Sequence, residues 1–87
     1  MKIKKGFILK SVSDKFIVVP VGEEAVNFNG LMTLNKSGKL LFEALQQEST
    51  IESLTELVME KYEIDQRTAE LDVESFVKKL KDKQIIE

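Results

Sequence analysis

The sequence predicts a small α+β domain with a winged-helix-like arrangement, in which a three-stranded antiparallel sheet is followed by three helices. Two early segments, Phe7–Val12 and Lys15–Val21, are rich in the β-branched and aromatic residues that favour strands. From Lys36 onwards, apolar residues recur at helical spacing. Because the chain has 87 residues, we expect residues 1–87 to form a single domain around one core.

The strand half begins after a basic arm, Met1–Lys5, which is expected to be flexible or to lead into the first strand. A two-residue connection joins the first two strands and predicts a β-hairpin. Pro20 has no backbone N–H, so it is expected at the end of the second strand or on an edge. An extended lead-in at Ala25–Phe28 and a turn at Asn29–Gly30 then precede a short third strand, predicted at Leu31–Leu34.

The first helix is predicted from about Lys36 to Gln47, with Asn35 as its N-cap. An asparagine oxygen at this position accepts a hydrogen bond from one of the unpaired N–H groups at a helix start. Gly38 lies near the start of the helix, where glycine costs about 1 kcal/mol relative to alanine. Close packing of the first turn is the reason we expect for this glycine.

Two further helices follow. Ser49–Glu52 matches a capping box for the second helix, and Thr50 is an equally good cap residue. The third helix is predicted to begin after Asp65 and to fade around Lys81–Gln84. The apolar pair Ile85–Ile86 is expected to tuck back onto the fold or to add to the sheet.

The composition excludes several function classes. The chain has no cysteine and no histidine, so thiolate nucleophiles, imidazole bases and the common zinc sites are absent. Its serines have no histidine to activate them, and its four glycines are scattered rather than gathered in a phosphate-binding loop. We therefore expect no catalytic residues, no metal and no cofactor: the chain is predicted to be a binding module and not an enzyme.

Charge and hydropathy also limit the partners. The formal net charge is −2, which disfavours a protein dedicated to nucleic acid. The apolar runs are far too short to cross a membrane, and the basic start is not followed by the apolar stretch of a signal peptide. A cytoplasmic protein with no membrane contact and no nucleic-acid partner is expected.

The third strand offers a binding mode if it lies at the edge of the sheet. An edge strand has unpaired N–H and C=O groups, to which an extended peptide can add as a further strand. Leu71 points away from the apolar stripe of the third helix, and with Leu31 and Thr33 it would line a groove between strand and helix. Lys78 or Lys79 would then meet an acidic residue of the peptide. Alternatively, Leu71 is a singly exposed leucine, and the amino-terminal arm or a second copy covers the edge.

Three segments together resemble a known family. They are LNKSGKLLFEAL (Leu34–Leu45), TIESLTELVMEKYEID (Thr50–Asp65) and DVESFVKKLKDKQII (Asp72–Ile86). In order and spacing they are similar to the PqqD-like family, which comprises coenzyme PQQ synthesis protein D and related recognition elements of ribosomal peptide modification. The resemblance extends from about Phe16 to the end of the chain. One departure is Phe42, where the family often has tryptophan.

The resemblance implies a winged-helix-type domain that binds the leader region of a precursor peptide. In the family, the leader is laid as a strand beside the third strand and against the third helix, and is presented to a modifying enzyme, often a radical SAM enzyme. Carried over to this chain, the peptide-binding positions are Leu31, Met32, Thr33 and Leu34 through their backbones, with Leu71, Asp72, Ser75 and Lys79 on the helix. The chain would be the stand-alone form of the family, acting in trans.

Two other functions are compatible with a similar fold. A winged-helix DNA-binding regulator would need a basic recognition helix, whereas the second helix is acidic at Glu52, Glu56 and Glu60. A small homodimeric adaptor without a peptide ligand would use Leu71 and the Ile85–Ile86 tail as its interface. The oligomeric state that we expect is a monomer or a weak homodimer.

Overall fold

The computed structural model describes residues 1–27 and 32–87, and it confirms the predicted α+β class and the three-stranded antiparallel sheet. The three predicted helices are present as α2, α3 and α4. In chain order, the elements are β1 (Phe7–Val12), β2 (Lys15–Pro20), α1 (Glu24–Asn27), β3 (Met32–Leu34), α2 (Lys36–Ala44), α3 (Ile51–Tyr62) and α4 (Gln66–Asp82).

The sheet has the strand order β1-β2-β3, so β3 lies at an edge among the described strands. Phe7 lies opposite Pro20 in the first antiparallel pair, and Ile17 lies opposite Thr33 in the second. Pro20 is the last residue of β2, as its missing N–H predicts. The predicted first residue of the third strand, Leu31, and the predicted turn at Asn29–Gly30 lie outside the described residues.

The core lies between the helices and one face of the sheet. On that face Val18, Met32 and Leu34 are buried, while Ile8 and Val12 of the opposite face are exposed, as strand alternation requires. The helices contribute buried apolar side chains at helical spacing: Leu41, Phe42, Leu45, Leu54, Val58, Ala69, Val73, Val77 and Leu80. Phe42, which stands where the family often has tryptophan, therefore fills a core position.

The start of α2 packs tightly against β3. Asn35 is the N-cap, and its side-chain oxygen accepts a hydrogen bond from the backbone N–H of Gly38 at 2.9 Å. A Cβ atom on Gly38 would lie 3.1 Å from the Cβ of Leu34, which is closer than ordinary van der Waals contact. The close packing predicted for Gly38 is confirmed. The helix ends at Ala44 rather than Gln47, because the chain tightens into a turn in which the N–H of Gln47 donates to the carbonyl of Ala44.

The cap of α3 lies one residue later than the Ser49–Glu52 signature predicts. Thr50 is the N-cap of a capping box: its hydroxyl oxygen accepts a hydrogen bond from the backbone N–H of Ser53, and its own backbone N–H donates to the hydroxyl oxygen of Ser53, both at 3.0 Å. The hydroxyl of Ser49 instead donates to the carbonyls of Ala44 and Gln47 in the preceding turn. Ser49 thus closes the end of α2 and leaves the start of α3 to its neighbour.

Asp65 caps α4 as predicted. Hydrogen bonds from the side chain and the backbone N–H of Thr68 lower the pKa of the Asp65 carboxyl below its ordinary value. The charged carboxylate therefore stabilises the folded state at neutral pH. This contribution is lost as the pH falls below 3.8 and through the lowered pKa.

Two predictions are wrong, one for the segment after β2 and one for the segment before β1. Ala25–Phe28 was expected to be extended, but Glu24–Asn27 form a single helical turn in which Ala25 and Val26 donate to carbonyls three residues back. The arm Met1–Lys5 is neither flexible nor continuous with β1. Instead Ile3 is buried and pairs with Ile86 in an isolated antiparallel bridge.

The chain end folds back onto the core, as predicted for the apolar pair. Ile85 is fully buried and Ile86 nearly so. The N–H of Ile3 donates to the carbonyl of Leu45, and the N–H of Lys4 donates to that of Ile85, both at 2.8 Å. The arm and the tail thus close the end of the domain beside α2. In the described ranges, no helix is both long and apolar enough to cross a membrane.

Candidate functional site

A groove runs between the edge strand β3 and helix α4, with the start of α2 at its side. We call it the β3–α4 groove, and it has a volume of about 520 Å³. Its lining residues are Met32, Thr33, Leu34, Asn35, Ser37, Gly38, Leu41, Val58, Asp72, Ser75, Phe76, Lys79 and Lys83. The place inferred from the edge strand and the third helix is therefore a real concavity of the fold.

The floor of the groove is apolar. Leu34, Leu41 and Val58 are nearly fully buried beneath it, and Phe76 of α4 is half-buried at its side. These side chains belong to the core cluster or pack against it, so the floor is fixed by the same contacts that hold the domain together. A bound apolar side chain would extend the core outward at this point.

The β3 side of the groove presents the strand edge. Thr33 is exposed between the buried side chains of Met32 and Leu34. β2 pairs with only one side of β3, so half of the backbone groups of β3 face away from the sheet among the described strands. The alternative that the amino-terminal arm covers this edge is not seen, because Ile3 pairs with Ile86 at another place in the fold.

Helix α4 supplies the other wall. Asp72, Ser75, Phe76, Lys79 and Lys83 line the groove, and their spacings of three and four residues place them on one stripe of the helix. Asp72, Ser75 and Lys79 were predicted site residues. Phe76 and Lys83 also line the groove, although neither is among the predicted site residues. The signal that finds both is the same helical spacing, continued from Asp72 toward the end of α4.

Leu71 and Lys78, both predicted site residues, do not line the groove. Each precedes a lining residue by one position and so points about 100° away from it around the helix. The side chain of Leu71 is 51% exposed, as predicted for a residue off the apolar stripe. Lys78 lies 4.0 Å from Asp82 in an exposed ion pair. Both residues stand beside the mouth of the groove rather than within it.

The charges in the groove are arranged along α4. Asp72 is the carboxylate nearer the start of the helix, and Lys79 and Lys83 follow toward its end. Within the described residues, neither Asp72 nor Lys79 forms an ion pair. The amino end of α2 also borders the groove, where Asn35 accepts hydrogen bonds from Ser37 and Gly38 at 2.9 Å. This helix end adds partial positive charge.

A second, smaller cavity of about 400 Å³ lies between β1 and α2. Phe16 and Phe42 contribute to it, and the ammonium of Lys39 lies 4.9 Å from the centroid of the Phe16 ring. This cation–π contact stabilises the cavity wall. None of the predicted site residues lies here.

Residues 16–86 match the family model described as coenzyme PQQ synthesis protein D (PqqD). The chain belongs to the PqqD family. The resemblance based on the three sequence segments is thereby confirmed, and it covers the sheet edge, α2 and α4 that form the β3–α4 groove.

Two solved structures are similar to this PqqD-family chain. One is TbiB1 in complex with the TbiA(beta) leader peptide, with a TM-score of 0.79, 20% identity, and coverage of 100% of this chain and 95% of that one. The other is lasso peptide synthetase B1 complexed with its leader peptide, with a TM-score of 0.72, 16% identity, and coverage of 93% and 89%. At these identities the likeness establishes the fold. No curated protein matches the chain significantly.

The β3–α4 groove of this PqqD-family chain combines an apolar floor with polar and charged side chains. Its polar side chains are a carboxylate, an amide, hydroxyls and ammonium groups, none of which is held against a second group as a nucleophile is held against its base. Across the described ranges, no cluster of carboxylates has the arrangement that would hold a metal ion. An open strand edge beside an apolar floor and a charged wall is the arrangement that binds an extended peptide.

Proposed function

We propose that this PqqD-family protein binds the leader region of a ribosomally made precursor peptide in the β3–α4 groove and presents the peptide to a separate modifying enzyme. The proposal is carried by one observation: the edge strand β3 borders a groove that has an apolar floor and is walled by α4. The two similar solved structures support it, because both are complexes with leader peptides.

The mode of binding that we propose is strand addition to β3. Leu31, Met32, Thr33 and Leu34 would pair with the peptide through their backbone N–H and C=O groups, which supply affinity without regard to sequence. Selectivity would come from α4, where Asp72, Ser75 and Lys79 line the groove. Leu71 and Lys78 would contact only those peptide side chains that extend past the mouth of the β3–α4 groove.

The enzyme that receives the peptide is, in our proposal, of the radical SAM type, as is frequent in the family. This chain would supply no reacting group. It would hold the leader in one orientation, so that the part of the precursor to be modified is delivered to the enzyme at high effective concentration. The protein would act in the cytoplasm as a peptide chaperone.

The alternative functions have less support. A homodimeric adaptor that uses the Ile85–Ile86 tail is disfavoured, because both side chains are already buried within the chain. A DNA-binding regulator is disfavoured by the net charge of −2 and by the exposed glutamates of α3. Neither function makes use of the β3–α4 groove.

A variant in which a bulky side chain blocks the β3–α4 groove tests the proposal. Ser75→Trp places a large side chain at an exposed position that faces the groove, so the fold is retained while the peptide is excluded. Calorimetric titration with the short precursor peptide encoded beside the gene should show micromolar binding to the wild type and at least a roughly tenfold weaker affinity for the variant, about 1.4 kcal/mol.

The matched control is Glu74→Trp, which adds the same side chain to an exposed position of α4 that does not line the groove. Its affinity should equal that of the wild type. Equal binding by wild type and Ser75→Trp would show that the peptide, if it binds, does not use the groove. Absence of binding to the wild type at high peptide concentration would contradict the proposed function itself.

A further inference from the structure

We propose that the β3–α4 groove selects the order of charges in its peptide. The preferred ligand carries two residues of opposite charge about four positions apart, with an apolar residue midway between them. This inference rests on the proposed function, and it names the class of peptide that the groove takes.

The first step concerns the protein charges. Asp72 and Lys79 are seven residues apart in α4, and Asp72 and Lys83 are eleven apart. With a rise of about 1.5 Å per residue, the lysines stand about 10 Å and 16 Å along the helix from the carboxylate. The wall of the groove is therefore negative toward one end and positive toward the other.

The second step concerns the spacing within the peptide. An added strand rises about 3.4 Å per residue, and every second side chain points to the same face. Two side chains four positions apart thus face the groove together at a separation of about 14 Å. The proposal places the added strand along α4. The distance of about 14 Å then lies between the two carboxylate-to-lysine spacings, so a basic residue opposite Asp72 places an acidic residue near Lys79.

The third step concerns the residue in the middle. Between Asp72 and Lys79 on the same stripe lies Phe76, half-buried above the apolar floor of Leu41 and Val58. The side chain midway between the two charged peptide residues faces this floor. An apolar side chain there removes water from the floor, whereas a charged one would lose its hydration without a partner.

The charges of the groove and the net charge of the whole chain act differently on a peptide. One carboxylate and two ammonium groups line the groove, although the whole chain is net negative. Electrostatic attraction by the whole protein would therefore favour a basic peptide. The groove, in contrast, favours a peptide with two opposite charges in a particular order. A preference for charge order, not for net charge, is what distinguishes groove recognition from general attraction.

Two synthetic peptides of identical composition test this inference. Both are nine-residue, threonine-rich peptides with leucine in the central position. One has lysine two positions before the leucine and glutamate two positions after it, and the other has these charges exchanged. Isothermal titration at low ionic strength should give affinities that differ by about tenfold, and added salt should reduce the difference because it screens exposed charges.

An inverted variant supplies the decisive comparison. Asp72→Lys with Lys79→Glu and Lys83→Glu reverses the charges that line the groove, and it should prefer the other peptide. The matched control is Glu74→Lys with Arg67→Glu and Lys81→Glu, which makes equivalent charge changes at exposed positions of α4 that do not line the groove. This control should keep the wild-type preference. Circular dichroism verifies that both variants fold.

The outcomes separate this inference from the proposed function. Equal affinities of the wild type for the two peptides, or an unchanged preference in the inverted variant, would overturn the charge-order inference while peptide binding stands. Failure of the wild type to bind either synthetic peptide, together with binding of the precursor peptide, would likewise overturn the inference while the proposed function stands.

Discussion

At the scale of single residues, several side-chain roles can be predicted from the sequence because they depend on near neighbours. Asn35 and Asp65 cap the helices that follow them, and the tight packing expected of Gly38 is present. The capping register of α3 could not be predicted, because Ser49 and Thr50 are chemically equivalent caps. Only the turn at the end of α2, which uses the hydroxyl of Ser49, decides between them.

Gly6 offers a test of backbone strain at one residue. Its φ is +102°, and an added Cβ would lie 2.7 Å from the side chain of Glu24 and 3.2 Å from the carbonyl oxygen of Val21. Gly6→Ala should therefore lower the free energy of unfolding by about 1–2 kcal/mol from conformation alone, and further through the clash. Urea unfolding followed by circular dichroism measures the change.

Gly22→Ala is the matched control for Gly6→Ala. Gly22 also has a positive φ, +63°, but a Cβ there would meet no atom within 4 Å. The control should lose less stability than Gly6→Ala, because it has the unfavourable φ without the clash. Equal losses would show that the contact with Glu24 and Val21 has no energetic effect.

At the scale of elements, the long periodic helices and the hairpin are predictable, whereas short or non-local features are not. A four-residue turn such as Glu24–Asn27 is too short to show a helical period. The bridge between Ile3 and Ile86 joins the two ends of the sequence, so no local sequence pattern predicts it. Leu71 was correctly predicted to be exposed, but its place beside the groove depends on how α4 is rotated against β3.

The cap of α3 provides a prediction at this scale. Thr50→Ala should lower the free energy of unfolding by about 1 kcal/mol, because the N–H of Ser53 loses its acceptor. Glu52→Ala serves as the comparison, since Glu52 would be the reciprocal partner if Ser49 were the cap. Thermal unfolding should show a clear loss for the first variant and a much smaller one for the second. The reverse order would place the cap at Ser49.

At the scale of the whole molecule, one core supports both the fold and the groove. Leu34, Leu41 and Val58 are buried in the core and also form the floor of the β3–α4 groove. The tail at Ile85–Ile86 is buried in the same core and pairs with the amino-terminal arm. The fold could be predicted from the sequence because the core residues follow the local periodicity of apolar residues. The lining of the groove could be predicted only in part, because it depends on how β3, α2 and α4 pack together.

Truncation of the Ile85 side chain tests how far the stability of the fold depends on the packing of the tail against the core. Ile85→Ala should lower the free energy of unfolding by about 2–4 kcal/mol, because its side chain is fully buried. This is a large part of the stability of a small domain. Ile8→Ala, at a strand position that is 42% exposed, should change stability by less than about 1 kcal/mol. Similar losses for the two variants in urea unfolding would mean that the tail does not contribute to the core.

The central claim, that a leader peptide adds to β3 against α4, is tested most directly by nuclear magnetic resonance of the labelled protein with its precursor peptide. Saturable shifts at Met32–Leu34 and on the groove stripe of α4, with cross-strand proton contacts between the peptide and β3, are the predicted result. Shifts confined to the cavity between β1 and α2, or binding without cross-strand contacts to β3, would contradict the claim.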